Sequence, residues 1–164
     1  MEYTLRAATP WDSAAINRLC VDAYQEFADS VGPVHWQQMR EFLSRVADLL
    51  TAGEPLVAEN SGGLLGLVLY LPPGKSDGKS IPQDWASIRM LAVSPTCRGK
   101  GIGRRLTQEC IDRARRDGAQ AIGLTTSAMM IVAQPMYERM GFRKEVDLGE
   151  RYGITETRYV LNFK

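Results

Sequence analysis

Leu91-Ala92-Val93-Ser94-Pro95-Thr96-Cys97-Arg98-Gly99-Lys100-Gly101-Ile102-Gly103-Arg104 is the most informative stretch of this 164-residue chain. An apolar run ends at Ser94-Pro95, three alternate glycines follow, and a basic segment of helical period begins. That order predicts a buried strand, a tight turn and a helix N-terminus. The unpaired N–H groups of a first helical turn and the helix dipole favour an anion by about 0.3–2 kcal/mol per contact. Glycines remove the Cβ atoms that would hold phosphate oxygens off the backbone, and Arg98, Lys100 and Arg104 add charge-assisted donors at the same point. Two better-known phosphate loops do not fit. No GxxxxGK(S/T) run exists, and the glycines are spaced GxGxG late in the chain rather than GxGxxG after a first strand. An ordinary strand-to-helix turn is the other reading of these residues taken alone.

Toward the C-terminus the helix is predicted to reach about Asp117, with Ile102, Leu106, Ile111 and Ala114 on one side and Gly118 closing it. Ala121–Thr125 reads as a strand, Ala133–Met140 as a short helix with Pro135 in its first turn, and Phe142–Leu148 and Thr155–Phe163 as the last strands. Toward the N-terminus, Trp85–Val93 is a strand whose Met90–Val93 end reads as buried on both faces. Pro72–Pro82 is a solvated loop, and Leu56–Glu59 and Leu64–Leu71 flank Asn60-Ser61-Gly62-Gly63 as a hairpin. Trp36, Met39, Phe42, Leu43, Val46, Leu49 and Leu50 repeat the helical period across Val34–Ala52, up to Gly53 and Pro55. An earlier helix, with Thr9 as N-cap and Pro10 at its first position, runs to about Asp29 and buries Ile16, Leu19, Ala23 and Phe27. Tyr3–Ala7 is a short first strand. The expectation is one α/β (α+β) domain over residues 1–164, with a central sheet of about seven strands carrying about four helices on both faces.

Composition narrows the function. With 45% hydrophobic, 24% charged and 8% aromatic residues the chain is neither disordered, collagen-like nor a disulfide-rich miniprotein. Its net charge of +1 argues against wholesale binding of nucleic acid or an anionic membrane. The charge is nonetheless uneven, because seven basic residues stand against two acidic ones between Arg98 and Arg116. Arg113, Arg115 and Arg116 suit a helix C-terminus. No targeting segment or stretch of roughly twenty apolar residues is present, so a soluble, cytoplasmic protein is expected. Cys20, Cys97 and Cys110 form no metal or disulfide pattern, and His35 is the single histidine, so no metal is expected.

These residues together resemble the GNAT superfamily of acyl-CoA-dependent N-acetyltransferases. Arg98-Gly99-Lys100-Gly101-Ile102-Gly103 matches its pyrophosphate-loop pattern Gln/Arg-x-x-Gly-x-Gly/Ala. Ile88-Arg89-Met90-Leu91-Ala92-Val93-Ser94-Pro95 looks like its fourth strand, and Met136-Tyr137-Glu138-Arg139-Met140-Gly141-Phe142 like its "LYerlGF" segment some forty residues on. The order of elements from Tyr3 to Phe163 also suits the family. The resemblance implies a mixed, mostly antiparallel sheet, acetyl-CoA as cosubstrate, and backbone amides of Arg98 to Gly103, with Arg104, around its pyrophosphate. It implies a strand end at Leu91, Ala92 and Val93 that splays from its neighbour and binds the pantetheine arm like an added strand. An amide near Val93 would polarise the thioester carbonyl, and Tyr137 would protonate the departing thiolate.

The acceptor amine must lose a proton, because an alkyl ammonium of pKa near 10.4 stays charged at neutral pH. Relatives often carry a glutamate for this on the fourth strand, where Ser87 stands here, and an asparagine for the pantetheine where Met130 stands. Glu26 is the candidate base, with Asp84 a second, each otherwise a solvated carboxylate. Tyr24, Phe27, Trp36 and Arg89 are candidate acceptor contacts, with core packing the other reading of the three aromatics. His35 could reach the same pocket or stand idle in a loop, and Cys97 could form a mixed disulfide with CoA or be inert. The expected function is acetyl transfer from acetyl-CoA to a primary amine of a small molecule or peptide, by direct attack in a ternary complex. A CoA-binding regulatory module without turnover is the alternative. A homodimer is common in such a family, and the last strands are a candidate interface for one.

Overall fold

A computed structural model describes residues 1–127, 129–130 and 132–163. Strands β1 (Thr4–Ala7), β2 (Glu54–Asn60), β3 (Gly63–Leu71), β4 (Ala86–Val93), β5 (Ala121–Ser127), β6 (Arg143–Arg151) and β7 (Ile154–Asn162) form one sheet in the order β1-β2-β3-β4-β5-β7-β6. Every neighbouring pair is antiparallel except β4 and β5. The helices are α1 (Ser13–Tyr24), α2 (Ala28–Val31), α3 (Pro33–Leu43), α4 (Ile102–Arg116) and α5 (Ala133–Arg139). Seven strands and a mixed, mostly antiparallel sheet are as expected; five helices replace the four read from the sequence.

Strand alternation sends successive side chains to opposite faces, so each face has its own core. On one face α4 lays Ile102, Leu106, Cys110 and Ala114 against Val68, Ile88 and Leu124, joined by Tyr137 and Phe142. Gly66 lets α4 come this close, because a Cβ there would meet Leu106 Cδ1 at 3.0 Å and Ile102 Cγ2 at 3.1 Å. On the other face α1 and α3 bring Ile16, Leu19, Met39 and Leu43 onto Val57, Leu67 and Leu69. Cys20, Cys97 and Cys110 are free thiols, all buried.

Three sequence expectations are corrected. The first helix does not run unbroken to Asp29: α1 stops at Tyr24, a 3-10 turn spans Gln25–Phe27, and α2 follows. The break falls where the Ala23 carbonyl accepts a 2.6 Å bond from Arg98. At its start, Thr9 opens a 3-10 turn over Pro10–Asp12, and its N–H donates to the Asp12 carboxylate at 2.8 Å. The second helix ends at Leu43 instead of Ala52; Val46–Ala52 is a 3-10 turn whose start is capped by Asn17 Oδ1 on the Ala47 N–H at 2.8 Å. A three-residue turn cannot keep a 3.6-residue stripe in register, and Leu49 is left exposed. The Met90–Val93 end of β4 is not buried on both faces, since only Ala92 is buried and its neighbours are half-buried.

Candidate active site

The half-burial of that strand end comes from a split in the sheet. β4 pairs with β5 only through Ala86 with Ile122 and Ser87 with Gly123. Beyond them β4 is bulged: its partners on β3 pass from Leu69, opposite Arg89, to Leu67, opposite Ala92, so Met90 and Leu91 share the place of Val68. Met90 has φ +59°, a left-handed conformation that costs a non-glycine residue energy and re-aims the strand. Among the described residues, the β5-facing edge of Ile88–Val93 therefore has no strand partner. One of its carbonyls, that of Leu91, accepts a 3.2 Å bond from the Tyr24 hydroxyl of α1.

The split opens a cleft of about 170 Å³, which also takes in Leu124, Thr125, Thr126 and Ser127 from β5. At its wall is Tyr137, 5% exposed and edge-on to Phe142 with ring centroids 5.7 Å apart. Burial, and then the neighbouring Tyr24, push its phenol pKa well above the ordinary value, so it keeps its proton at neutral pH. Tyr24 is raised for the same first reason.

Past the open edge lies the glycine turn. Gly99 and Gly101 have φ +76° and +82°, and a Cβ at either would meet nothing within 4 Å, so their faces are open. Gly101 is the N-cap of α4 and offers no side chain to cap it. The first-turn N–H groups of Ile102, Gly103 and Arg104 thus lie outside the helix's own ladder, an arrangement that favours an anion at the helix N-terminus. Lys100 and Arg104 are exposed beside it, whereas the Ile102 side chain belongs to the core. Arg98 reaches away, donating to the Ala23 carbonyl and pairing with Glu26.

Tyr24, Arg89, Leu91 and Tyr137 therefore meet in the cleft. Phe27 and Trp36 are not among its lining: Phe27 lies 5.9 Å from Tyr24, and Trp36 packs onto the α1/α3 core. Glu26 is held by Arg98, and Asp84 accepts a 2.7 Å bond from Gln120. His35 bonds the Val31 carbonyl through Nδ1 at 3.1 Å and covers Gly153. Ser87 is 2% exposed, with a hydroxyl that has no partner among the described residues. Met130 lines the cleft.

Sequence reading missed the far wall: Phe42 on α3, and Arg151, Tyr152, Ile154 and Glu156 around the β6–β7 turn. Glu156 enters because it pairs with Ser127 across β5 and β7. The alternation of Ile154, Glu156 and Arg158 was its one local signal, and that gives a face without saying which strand lies opposite.

The family model described as Acetyltransferase (GNAT) family matches residues 16–142. The N-alpha-acetyltransferase 30 of Schizosaccharomyces pombe is 40% identical over 76 residues, covering 45% of this chain and 51% of that protein. The chain thus spans about half of that relative's length, and about 37% of the N-acetyltransferase family 8 member 3 of Rattus norvegicus, to which it is 31% identical over 88 residues. The PaiA N-acetyltransferase of Thermoplasma acidophilum, solved in complex with coenzyme A, superposes with a TM-score of 0.79 at 17% identity, covering 99% of this chain and 100% of that one. A GNAT acetyltransferase of Brucella melitensis in complex with acetyl-CoA gives a TM-score of 0.64 at 23% identity, covering 99% and 89%. With a family match across most of its length and the split sheet described above, this chain belongs to the acetyltransferase (GNAT) family.

Proposed function

We propose that the protein transfers an acetyl group from acetyl-CoA to a primary amine by direct attack within a ternary complex. The observation that carries this reading is the unpartnered β4 edge, which leads from the open glycine turn to a buried, protonated tyrosine. Acetyl-CoA supplies an activated acyl carbon as a thioester. The backbone N–H groups at the start of α4, with Lys100 and Arg104, hold its pyrophosphate. The free edge from Leu91 to Val93 orients its arm by main-chain bonds, as in strand addition, with an amide near Val93 facing the acyl oxygen. Tyr137 gives its proton to the sulfur as the C–S bond breaks. Catalysis lies mainly in holding amine and thioester at bonding distance.

Glu26 enters this reading as the partner of Arg98, tying the α1–α2 joint to the glycine turn, and not as the base. Three buried thiols suit a reducing compartment, the cytoplasm among them, and no helix of the described residues is long and apolar enough to cross a membrane. Calorimetric titration with acetyl-CoA, with ATP and NAD as controls, tests the cofactor; free-CoA release with an amine panel tests turnover. Micromolar binding with silent controls is expected. Binding without release across the panel favours the regulatory module, and no binding by folded protein removes the assignment of the turn.

A further inference from the structure

We infer that the acceptor is an amino acid with an apolar side chain, its ammonium held by Glu156 and its carboxylate by Arg89 and Arg151. This rests on the acetyl-transfer reading and concerns the acceptor half of the same cleft. Among the described residues, the charged groups lining the cleft are these three: two guanidiniums and one carboxylate.

Their arrangement is set by register. Arg89 pairs with Leu69 and Glu156 with Ser127, which places both on the sheet face covered by α1 and α3. Arg151 also lines the cleft, its guanidinium 5.3 Å from the ring centroids of both Phe42 and Tyr152. Its nearest nitrogen stands 4.0 Å from Glu156, a long ion pair without a hydrogen bond between the two side chains. No carboxylate of the described residues lies within ion-pair distance of Arg89; Asp77 is close enough to feel its charge but accepts bonds from the N–H groups of Lys79 and Ser80. A zwitterion completes such a set, cation to Glu156 and anion to the two arginines.

The same inventory counts against other amines. A polyamine or aminoglycoside would set several ammonium groups against two arginines with one carboxylate to share. A peptide N-terminus or lysine has no carboxylate beside its amine and leaves the guanidiniums unanswered. Thr125, Thr126 and Ser127 bring hydroxyls on the β5 side, while the part of the wall formed by Met39, Leu43, Met129 and Ile154 is apolar and, through its methionines, adaptable. It suits a hydrocarbon or thioether side chain.

Glu156 also supplies the proton acceptor that β4 lacks at Ser87. A proton passes from the ammonium nitrogen to the Glu156 carboxylate. The freed lone pair forms the N–C bond to the acyl carbon as the C–S bond breaks, and the sulfur takes the Tyr137 proton. The acylated nitrogen then gives up its second proton to restore the Tyr137 phenol, leaving a neutral amide, CoA thiol and a protonated Glu156.

The test is CoA release by the full chain with the apolar amino acids, each set against its amide and its decarboxylated amine, and with spermidine. At least one amino acid should exceed its amide and amine in kcat/KM by about 100-fold, the scale set by losing a hydrogen bond to a charged group. Arg89→Gln and Arg151→Gln should erode that ratio, and Glu156→Gln should lower kcat for every accepted amine, all with the acetyl-CoA Kd unchanged. Equal or better use of the amide, the amine or spermidine overturns the inference. Acetyl-CoA binding with no amino acid acetylated overturns it too, while leaving the cofactor reading intact. Failure to bind acetyl-CoA removes the acetyl-transfer reading, and the inference falls with it.

Discussion

Tyr137 keeps its proton because Phe142 and the α4 core exclude water from its phenol, so in the proposed reaction a thiolate leaving group would meet an acid that is still loaded. Removing the hydroxyl should cost turnover without cost to binding, since the ring and its packing stay. Tyr137→Phe is expected to lower kcat by about 100-fold or more, with the acetyl-CoA Kd within twofold by calorimetry. Equal kcat would assign the proton to water. Residues of this kind were legible in the sequence when their function travels with a local pattern. Tyr137 comes with Gly141-Phe142 and the turn with its glycines, whereas Glu156 and Arg151 acquire meaning only from the pairing of β7 with β5 and the turn under α3. Glu26 shows the converse: a carboxylate in the right region of the chain, taken by an arginine whose reach the sequence does not reveal.

Elements were read well where one period governs them and poorly where two meet. The α4 stripe and the β2–β3 hairpin follow from periodicity and turn residues. Val34–Ala52 looked like one helix because an α-helix and a 3-10 turn laid end to end share apolar spacings of three and four. The β4 bulge was invisible as well, since Met90 at φ +59° is an apolar residue in an apolar run. At the turn, Gly101→Glu sets a carboxylate against the proposed phosphate cradle and a side chain in left-handed geometry. Acetyl-CoA affinity should fall at least tenfold, with about 1–2 kcal/mol of backbone strain seen as a modest loss of Tm. In the core, Leu106→Ala removes a fully buried side chain between α4 and Gly66. Urea unfolding should show a loss of about 2–5 kcal/mol.

For the molecule as a whole, charge sets the pH range of stability. Arg6 binds both Asp12 oxygens, at 2.8 and 2.9 Å, and holds that carboxyl at about 2, below its ordinary 3.8. A lowered folded pKa gives stability that is present above the unfolded value, so this share is lost as pH falls from about 4 toward 2. Tyr24, Tyr70 and Tyr137 are raised, chiefly by burial, so their share is full below the ordinary tyrosine value of about 10 and is lost as pH rises past it. Tm against pH should show a plateau between these limits; Asp12→Asn should flatten the acid limb.

Among the described residues, only two ladder pairs join β1–β4 to β5–β7. By that count the sheet is two ladders meeting at a short seam, and the seam is where native-state opening should begin. In hydrogen–deuterium exchange, the β5-facing amides of β4 should label early while the β2–β3 and β5–β7 rungs stay protected. An arm seated along the seam would knit the halves together, so the cosubstrate should slow labelling on both strands and raise Tm by mass action. Ligand binding in this molecule would then double as the last step of its folding.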